Sequence, residues 1–262
     1  MTTASKLALL AGRPTELLAR VAVKLESWKH RRQSDSKSIC EEEECDFSRF
    51  VEEAFGDEGT QLLRGEGLIE LEDEIALRLS DSVHRRGFNE CHNGSSTLGR
   101  LCYLAVRLRK PDHVVETGVA RGVTSAYILG AMNENKQGQL SSIDLPPLAK
   151  DANSLVGCAV PERWRGRWQL HYGTSRQTLP RLLSTYAGRI GLFVHDSLHT
   201  QRNMMWEMKM AHAHMDARGI IIADDIECNQ AFHQFVSDEQ PAMHAVLREA
   251  GKPAWCGITL FH

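Results

Sequence analysis

The stretch His113-Val114-Val115-Glu116-Thr117-Gly118-Val119-Ala120-Arg121-Gly122 decides how the chain is read. A short apolar run ends on an acid and a glycine, then passes into residues 123–133, which have helical character. Gly118 lets the backbone turn tightly and come close to a ligand, and a helix that starts just beyond offers unpaired amide hydrogens to an anion. Alone, this Gly-x-x-x-Gly loop is equally an ordinary strand-to-helix turn. Working outward, further strands are predicted at 140–145, 168–171, 190–195 and 219–223, with a last one at 257–261. Helices are predicted between them at 175–186, 198–215 and 228–236. Strands rich in Val, Ile and Leu that alternate with helices are the pattern of βαβ units and of a parallel sheet covered on both faces.

Upstream of that pattern the texture changes. Ser95 or Ser96 can cap a helix carrying Leu98, Leu101, Cys102, Ala105 and Leu108, which Pro111 ends. Before it, Thr15 can cap a helix whose Leu18, Val21, Leu25 and Trp28 share one side, and Phe47, Phe50, Val51, Ala54 and Phe55 form a second helical patch stopped at Gly56. Between the two patches, residues 30–44 are polar, end in four consecutive glutamates and read as a solvated linker. The division expected is a helical extension or lid over 1–94 and one larger domain over 95–262.

Composition bounds the rest. The 262 residues carry 31 Lys+Arg against 34 Asp+Glu, a net charge of −3, with 42% hydrophobic residues, so a globular protein with a real core is expected. A near-balanced charge gives no reason to expect a nucleic-acid partner. Seven cysteines, odd in number and never spaced Cys-x-x-Cys, argue against a disulfide framework or zinc knuckle. No window approaches the ~20 apolar residues of a membrane span, and Leu7 to Leu10 is too short for a signal-peptide core. A cytoplasmic protein with no membrane partner is expected.

In an open parallel sheet, ligands bind beyond the carboxyl ends of the strands, so the residues ending each strand are the candidates. Asp144 ends the second strand 26 residues after Gly118, about where doubly wound folds place an acid against a ribose diol. The loop lacks the middle glycine of Gly-x-Gly-x-x-Gly, which tilts the choice from NAD toward a nucleoside with an amino-acid tail. Asp196, Asp224 and Asp225 end later strands. Each could simply cap the next helix; three at one sheet edge would repel unless a cation or proton lies between them, and favour a hard cation such as Mg²⁺. His199, three residues beyond Asp196, could take a proton from a hydroxyl polarised by that ion.

The runs 114–122, Ile143-Asp144, Gly173-Thr174-Ser175, Phe193-Val194-His195-Asp196 and Ala223-Asp224-Asp225 together resemble the class I S-adenosylmethionine (SAM)-dependent methyltransferases. Within them the chain is similar to the metal-dependent O-methyltransferases, in the branch of macrocin-type sugar enzymes distantly similar to catechol O-methyltransferase. The resemblance implies a Rossmann-like, doubly wound, mostly parallel seven-stranded sheet with helices on both faces. It implies that Glu116, Gly118 and Thr124 surround the methionine part of SAM, with Thr117, Val119 and Gly122 completing that loop. Asp144 would hold the ribose, Ser175 and Arg176 would border the adenine, and Asp196 would lie beside the cofactor. Metal ligands fall on Asp196, Asp224 and Asp225, where catechol-type relatives have Asn at the last, and the base falls on His199. The activity implied is methyl transfer to a hydroxyl of a small molecule, plausibly a sugar, by a chain that could form a homodimer. A non-catalytic SAM-binding module and an NAD-dependent oxidoreductase are the alternatives.

Overall fold

A computed structural model describes residues 13–33, 44–82, 94–148, 152–186 and 188–262. Three helices come first: α1 (Pro14–Gln33), α2 (Phe47–Leu63) and α3 (Glu66–Ser82). There follow α4 (Ser96–Arg109), β1 (His113–Thr117), α5 (Val123–Asn135), β2 (Gln139–Asp144), the short α6 (Ala152–Leu155), β3 (Trp168–Tyr172) and α7 (Ser175–Tyr186). The chain ends with β4 (Ile190–His195), α8 (Gln201–His212), β5 (Met215–Ala223), α9 (Ala231–Glu239), β6 (Met243–Arg248) and β7 (Trp255–Leu260). The sheet has seven strands in the order β3-β2-β1-β4-β5-β7-β6, with β7 alone antiparallel to its neighbours. This is the Rossmann-like, doubly wound arrangement expected from the sequence.

The pleat sorts side chains between two cores. Val114, Leu192, Val194, Ile220 and Ile222 face one way, onto α4 and α5. Their neighbours Val115, Phe193, Ile221 and Ala223 face the other way, onto α7, α8 and α9. Adjacent residues of a strand point to opposite faces, so an unbroken apolar run such as Ile220-Ile221-Ile222 is what a sheet covered on both sides requires. Burying such a side chain contributes ~1.5–3 kcal/mol.

The first core also takes in Phe50 and Val51 of α2 and Leu68, Leu71 and Ile75 of α3. Arg100 grips Glu72 through two hydrogen bonds of 2.7 and 2.8 Å, and Tyr127 donates to the same carboxylate at 2.9 Å. These two helices are therefore built into the sheet's own core. Gly56, expected to stop a helix, instead makes a non-helical kink at φ 64°, after which the helix resumes.

Three local expectations are corrected. First, α1 starts at Pro14, which fits the first helical turn because its missing N–H needs no partner there. Its Leu18, Val21, Leu25 and Trp28 do share a face, but that face is turned outward, 44% to 70% exposed, while Ala19, Ala22, Val23 and Glu26 look inward. Second, the helix predicted at 198–215 is shortened at both ends, because Thr200 caps it by accepting from Asn203 N and Met215 already belongs to β5. Third, the helix predicted at 228–236 runs from Ala231 to Glu239 behind a 3₁₀ turn at Ile226–Cys228. Most of the polar linker expected at 30–44 lies outside the described residues. Among the described residues no helix is long and apolar enough to cross a membrane.

Candidate active site

A cavity of 970 Å³ opens at the carboxyl ends of β1, β2, β4 and β5, where the strand order reverses between β1 and β4. A doubly wound sheet leaves its crevice at that reversal, because the crossovers leave β1 and β4 in opposite directions. Ten of the residues picked from the sequence lie in the cavity wall: Thr117, Gly118, Val119, Asp144, Ser175 and Arg176 toward one side, and Asp196, His199, Asp224 and Asp225 toward the other.

The glycine loop owes its shape to close backbone packing. Gly118 sits at φ 86°, its N donates to Ile143 O at 2.8 Å, and a Cβ placed on it would lie 1.7 Å from Asp196 O. Gly122, at φ 82°, would meet Gly157 Cα at 2.6 Å. Gly157 and Ala159 clamp the loop by donating to Ala120 O and Arg121 O. Glu116, Gly122 and Thr124 lie behind the cavity wall rather than in it. Glu116 is sealed under the loop, accepting from Ser125 Oγ at 2.7 Å and Ser142 Oγ at 2.6 Å, and burial pushes its carboxyl up to about 7. Thr124 stands against Gly94, which does reach the wall.

Asp144 ends β2 at the cavity. The backbone amides of Val119 and Leu145 hold its carboxylate, yet its buried Oδ2 has no hydrogen-bond partner among the described residues, and burial pushes its pKa up to about 6. A buried carboxylate oxygen facing a cavity with nothing to accept from suits hydroxyl donors on a ligand. Arg176 lines the same wall, its guanidinium 4.1 Å above the ring of Trp206.

At the other end, Asp196, His199 and Asp224 each bring a ligand atom within 4.8 Å of the others. Asp225, the third ligand expected from the sequence, lies beside this group rather than in it. Asp225 sits in the left-handed region at φ 49°, and its Oδ2 lies 3.5 Å from His199 Nε2. The acids are crowded: burial, then the charges of Asp225 and Glu116, push Asp196 well above the usual carboxylate range. Burial, then the charge of Asp196, does the same to Asp224, whose Oδ1 has no hydrogen-bond partner among the described residues. Hard oxygen donors with a buried, unpartnered atom and mutual repulsion fit a divalent cation, which would remove the repulsion. Burial and neighbouring His195 push His199 down to about 4, so the imidazole is neutral near pH 7.

Several wall residues escaped the sequence reading. Glu26 of α1 accepts from Thr200 Oγ1 at 2.5 Å, and His30 Nε2 lies 3.1 Å from Cys228 O, so α1 runs across the cavity mouth. Lys252, in the turn between β6 and β7, brings a cation to the acid cluster, with Nζ 3.7 Å from Oε2 of the buried Glu249. Burial and Asp224 together push Glu249 up to about 9. Only the recognition of β6 would have drawn attention to that turn.

Comparison with known proteins bears on the fold that holds this cavity. Residues 115–226 match the family model described as "Methyltransferase domain". No curated protein matches the chain. Among solved structures, the O-methyltransferase from Bacillus cereus in complex with S-adenosylhomocysteine (SAH) is similar at 12% identity and a TM-score of 0.54, covering 85% of this chain and 100% of that one. The O-methyltransferase TomG from Streptomyces achromogenes, involved in tomaymycin synthesis and in complex with SAM, is similar at 14% identity and 0.51, covering 74% and 99%. A methyltransferase from Geobacter sulfurreducens is similar at 15% identity and 0.52, covering 72% and 88%. At these identities the likeness establishes the fold.

Proposed function

We propose, from the match of residues 115–226 to the methyltransferase-domain family model, that the chain is a SAM-dependent O-methyltransferase acting on a hydroxyl of a small molecule, a sugar in particular. One observation carries this reading: a single cavity has Asp144, with its unpartnered Oδ2, in one wall and the Asp196–His199–Asp224 cluster in another. When bound, SAM supplies an electrophilic methyl on a sulfonium, and a divalent cation such as Mg²⁺ supplies charge that lowers the pKa of an alcohol.

The protein's own groups do the rest. Asp144 would accept from the ribose hydroxyls, and the backbone of Thr117 to Val119 would border the remainder of the nucleoside. Asp196 and Asp224 would hold the cation. His199, neutral near pH 7, would accept the acceptor's proton, with Asp225 Oδ2 at 3.5 Å on hand to stabilise the imidazolium that results. Transfer in line requires the oxygen to be held on the axis of the breaking bond, so the pairing of β1 and β4 at Thr117 and His195, with Asp196 N just beyond β4 donating to Thr117 O at 2.8 Å, is itself part of the chemistry. Inward-facing Ala19, Ala22 and Val23 of α1 roof the cavity and would exclude water over the acceptor.

Calorimetric titration with SAH, followed by labelled methyl transfer from SAM to a panel of sugars and phenols with and without Mg²⁺, tests the reading. Binding with metal-dependent labelling of a hydroxylated acceptor is expected. Absence of SAH binding would end the cofactor assignment, and binding without transfer to any acceptor would favour a non-catalytic module.

A further inference from the structure

Glu207 lies in the interior of α8, fully buried, and does not itself reach the cavity. Its Oε2 accepts from Thr117 Oγ1 at 2.6 Å and lies 2.6 Å from His195 Nδ1. Its Oε1 accepts from Ser197 Oγ and Asn203 Nδ2, both at 2.9 Å. An ionised carboxylate accepts about four hydrogen bonds and donates none, and these four, which Ser175 at the start of α7 supplements, come from different places. They come from the end of β1, the end of β4, the loop after β4 and the first turn of α8. Burial alone would raise this carboxyl, but His195 and the hydroxyl donors outweigh it and hold it down to about 2. The charge is kept, in the dry interior, by partners that belong to the loops of the site.

Three of those partners, Thr117, Ser197 and Asn203, are themselves cavity-wall residues. Asp196 is flanked on both sides by groups bound to Glu207, His195 before it and Ser197 after it, and its own N donates to Thr117 O at 2.8 Å. Asn203 Nδ2 also donates to Leu198 O at 3.2 Å, next to His199. We infer that Glu207 is the positioning residue of the acid cluster, fixing the segment from Asp196 to His199 in the arrangement a divalent cation needs. The inference rests on the metal-dependent reading above and adds to it a residue that touches neither substrate nor ion. Of the cofactor wall, Thr117 and Ser175 bond Glu207 through their side chains, whereas Asp144 on β2 does not, so the cofactor end should feel a change at Glu207 less than the acid cluster does.

Glu207→Gln is nearly isosteric but puts an NH₂ in place of an oxygen that faces two of the four donors, so at least one of those bonds must be lost or reversed. Mn²⁺ affinity by electron paramagnetic resonance, SAH affinity by calorimetry, and turnover are to be measured on the full chain. The expected result is Mn²⁺ affinity and kcat each lowered ~10- to 100-fold, as for other groups that orient metal ligands, with SAH affinity within about threefold of wild type. Should Glu207→Gln fail to fold, Ser197→Ala, which removes one donor and leaves the carboxylate, should still weaken Mn²⁺ binding several-fold. Unchanged Mn²⁺ affinity in folded Glu207→Gln, or in Ser197→Ala if that is the variant available, overturns the inference, as does wild-type protein that binds SAH but no Mn²⁺. Wild-type protein that binds neither overturns the functional reading itself.

Discussion

His199 Nε2 lies closer to Asp225 Oδ2, at 3.5 Å, than to Asp196 Oδ1, at 3.9 Å, although Asp225 is outside the group of three that could share an ion. The two adjacent aspartates after β5 are therefore placed differently. Asp224 faces the cluster from a buried position, and Asp225 faces the histidine from a left-handed turn. Asp224→Asn should abolish Mn²⁺ binding while making the metal-free protein more stable by ~1 kcal/mol, because it removes a crowded, buried charge. Asp225→Asn should keep most of the Mn²⁺ affinity and lose turnover. Metal titration and urea unfolding of both variants check this; equal loss of metal binding in the two would sink the distinction.

His199 belongs geometrically to the candidate ligand set and chemically to the candidate bases, and one imidazole nitrogen cannot serve both at once. As the base, His199→Gln should lower kcat ~10²- to 10⁴-fold while Mn²⁺ binding survives. Parallel loss of Mn²⁺ affinity would make it a ligand instead. Measuring both quantities on the same preparation decides between the roles.

Asp144 gives a pH prediction whose sign follows from its shift. Its folded pKa of about 6 lies above the ordinary aspartate value of 3.8, so in the ligand-free protein its contribution to stability is present below 3.8 and is lost as pH rises through 6. Ligand hydroxyls need the ionised form to accept their bonds, so SAH affinity should rise about tenfold between pH 5 and pH 7. Asp144→Asn should bind weakly and without that slope. Calorimetry at three pH values on wild type and variant provides the check, and a flat wild-type profile would remove Asp144 from the cofactor site.

The strands were legible where both faces are buried, since Val114-Val115 and Ile220-Ile221-Ile222 leave no polar alternation to confuse with a surface strand. β6 was not, because Ala245-Val246-Leu247 is a three-residue apolar run between His244 and Arg248, and its hydrogen bonds to β7 supply what its composition lacks. The acids at strand ends could be picked out because topology alone brings strand ends together. Which of Asp224 and Asp225 joins the cluster could not, since it depends on a single residue taking φ 49°. Glu207 in Met204-Met205-Trp206-Glu207-Met208 reads as a solvated helix charge, and only the approach of β1 and β4 makes it the most heavily bonded carboxylate near the site. The apolar stripe of α1 does form one face, but helical spacing does not say which face meets the protein.

The loop that opened the sequence reading gives the sharpest mutational contrast. At Gly118 a methyl group would meet a backbone carbonyl oxygen at 1.7 Å in a conformation that L side chains rarely adopt, and the atom it meets belongs to Asp196. Backbone cannot swing aside as a side-chain end can, so Gly118→Ala must part β1 from β4 where the cofactor and metal ends of the cavity join. A loss of ~3 kcal/mol or more is expected, within the range reserved for strained and overpacked sites, together with loss of SAH binding. Gly166→Ala is the matched control: nothing lies within 4 Å of its added methyl and its φ is unremarkable for an L residue. It should change stability by less than ~0.5 kcal/mol and leave SAH affinity as it was. Denaturant unfolding and calorimetry on the pair make the comparison; a Gly118→Ala protein as stable and as tight-binding as the control would mean that the β1 and β4 loops do not pack as described.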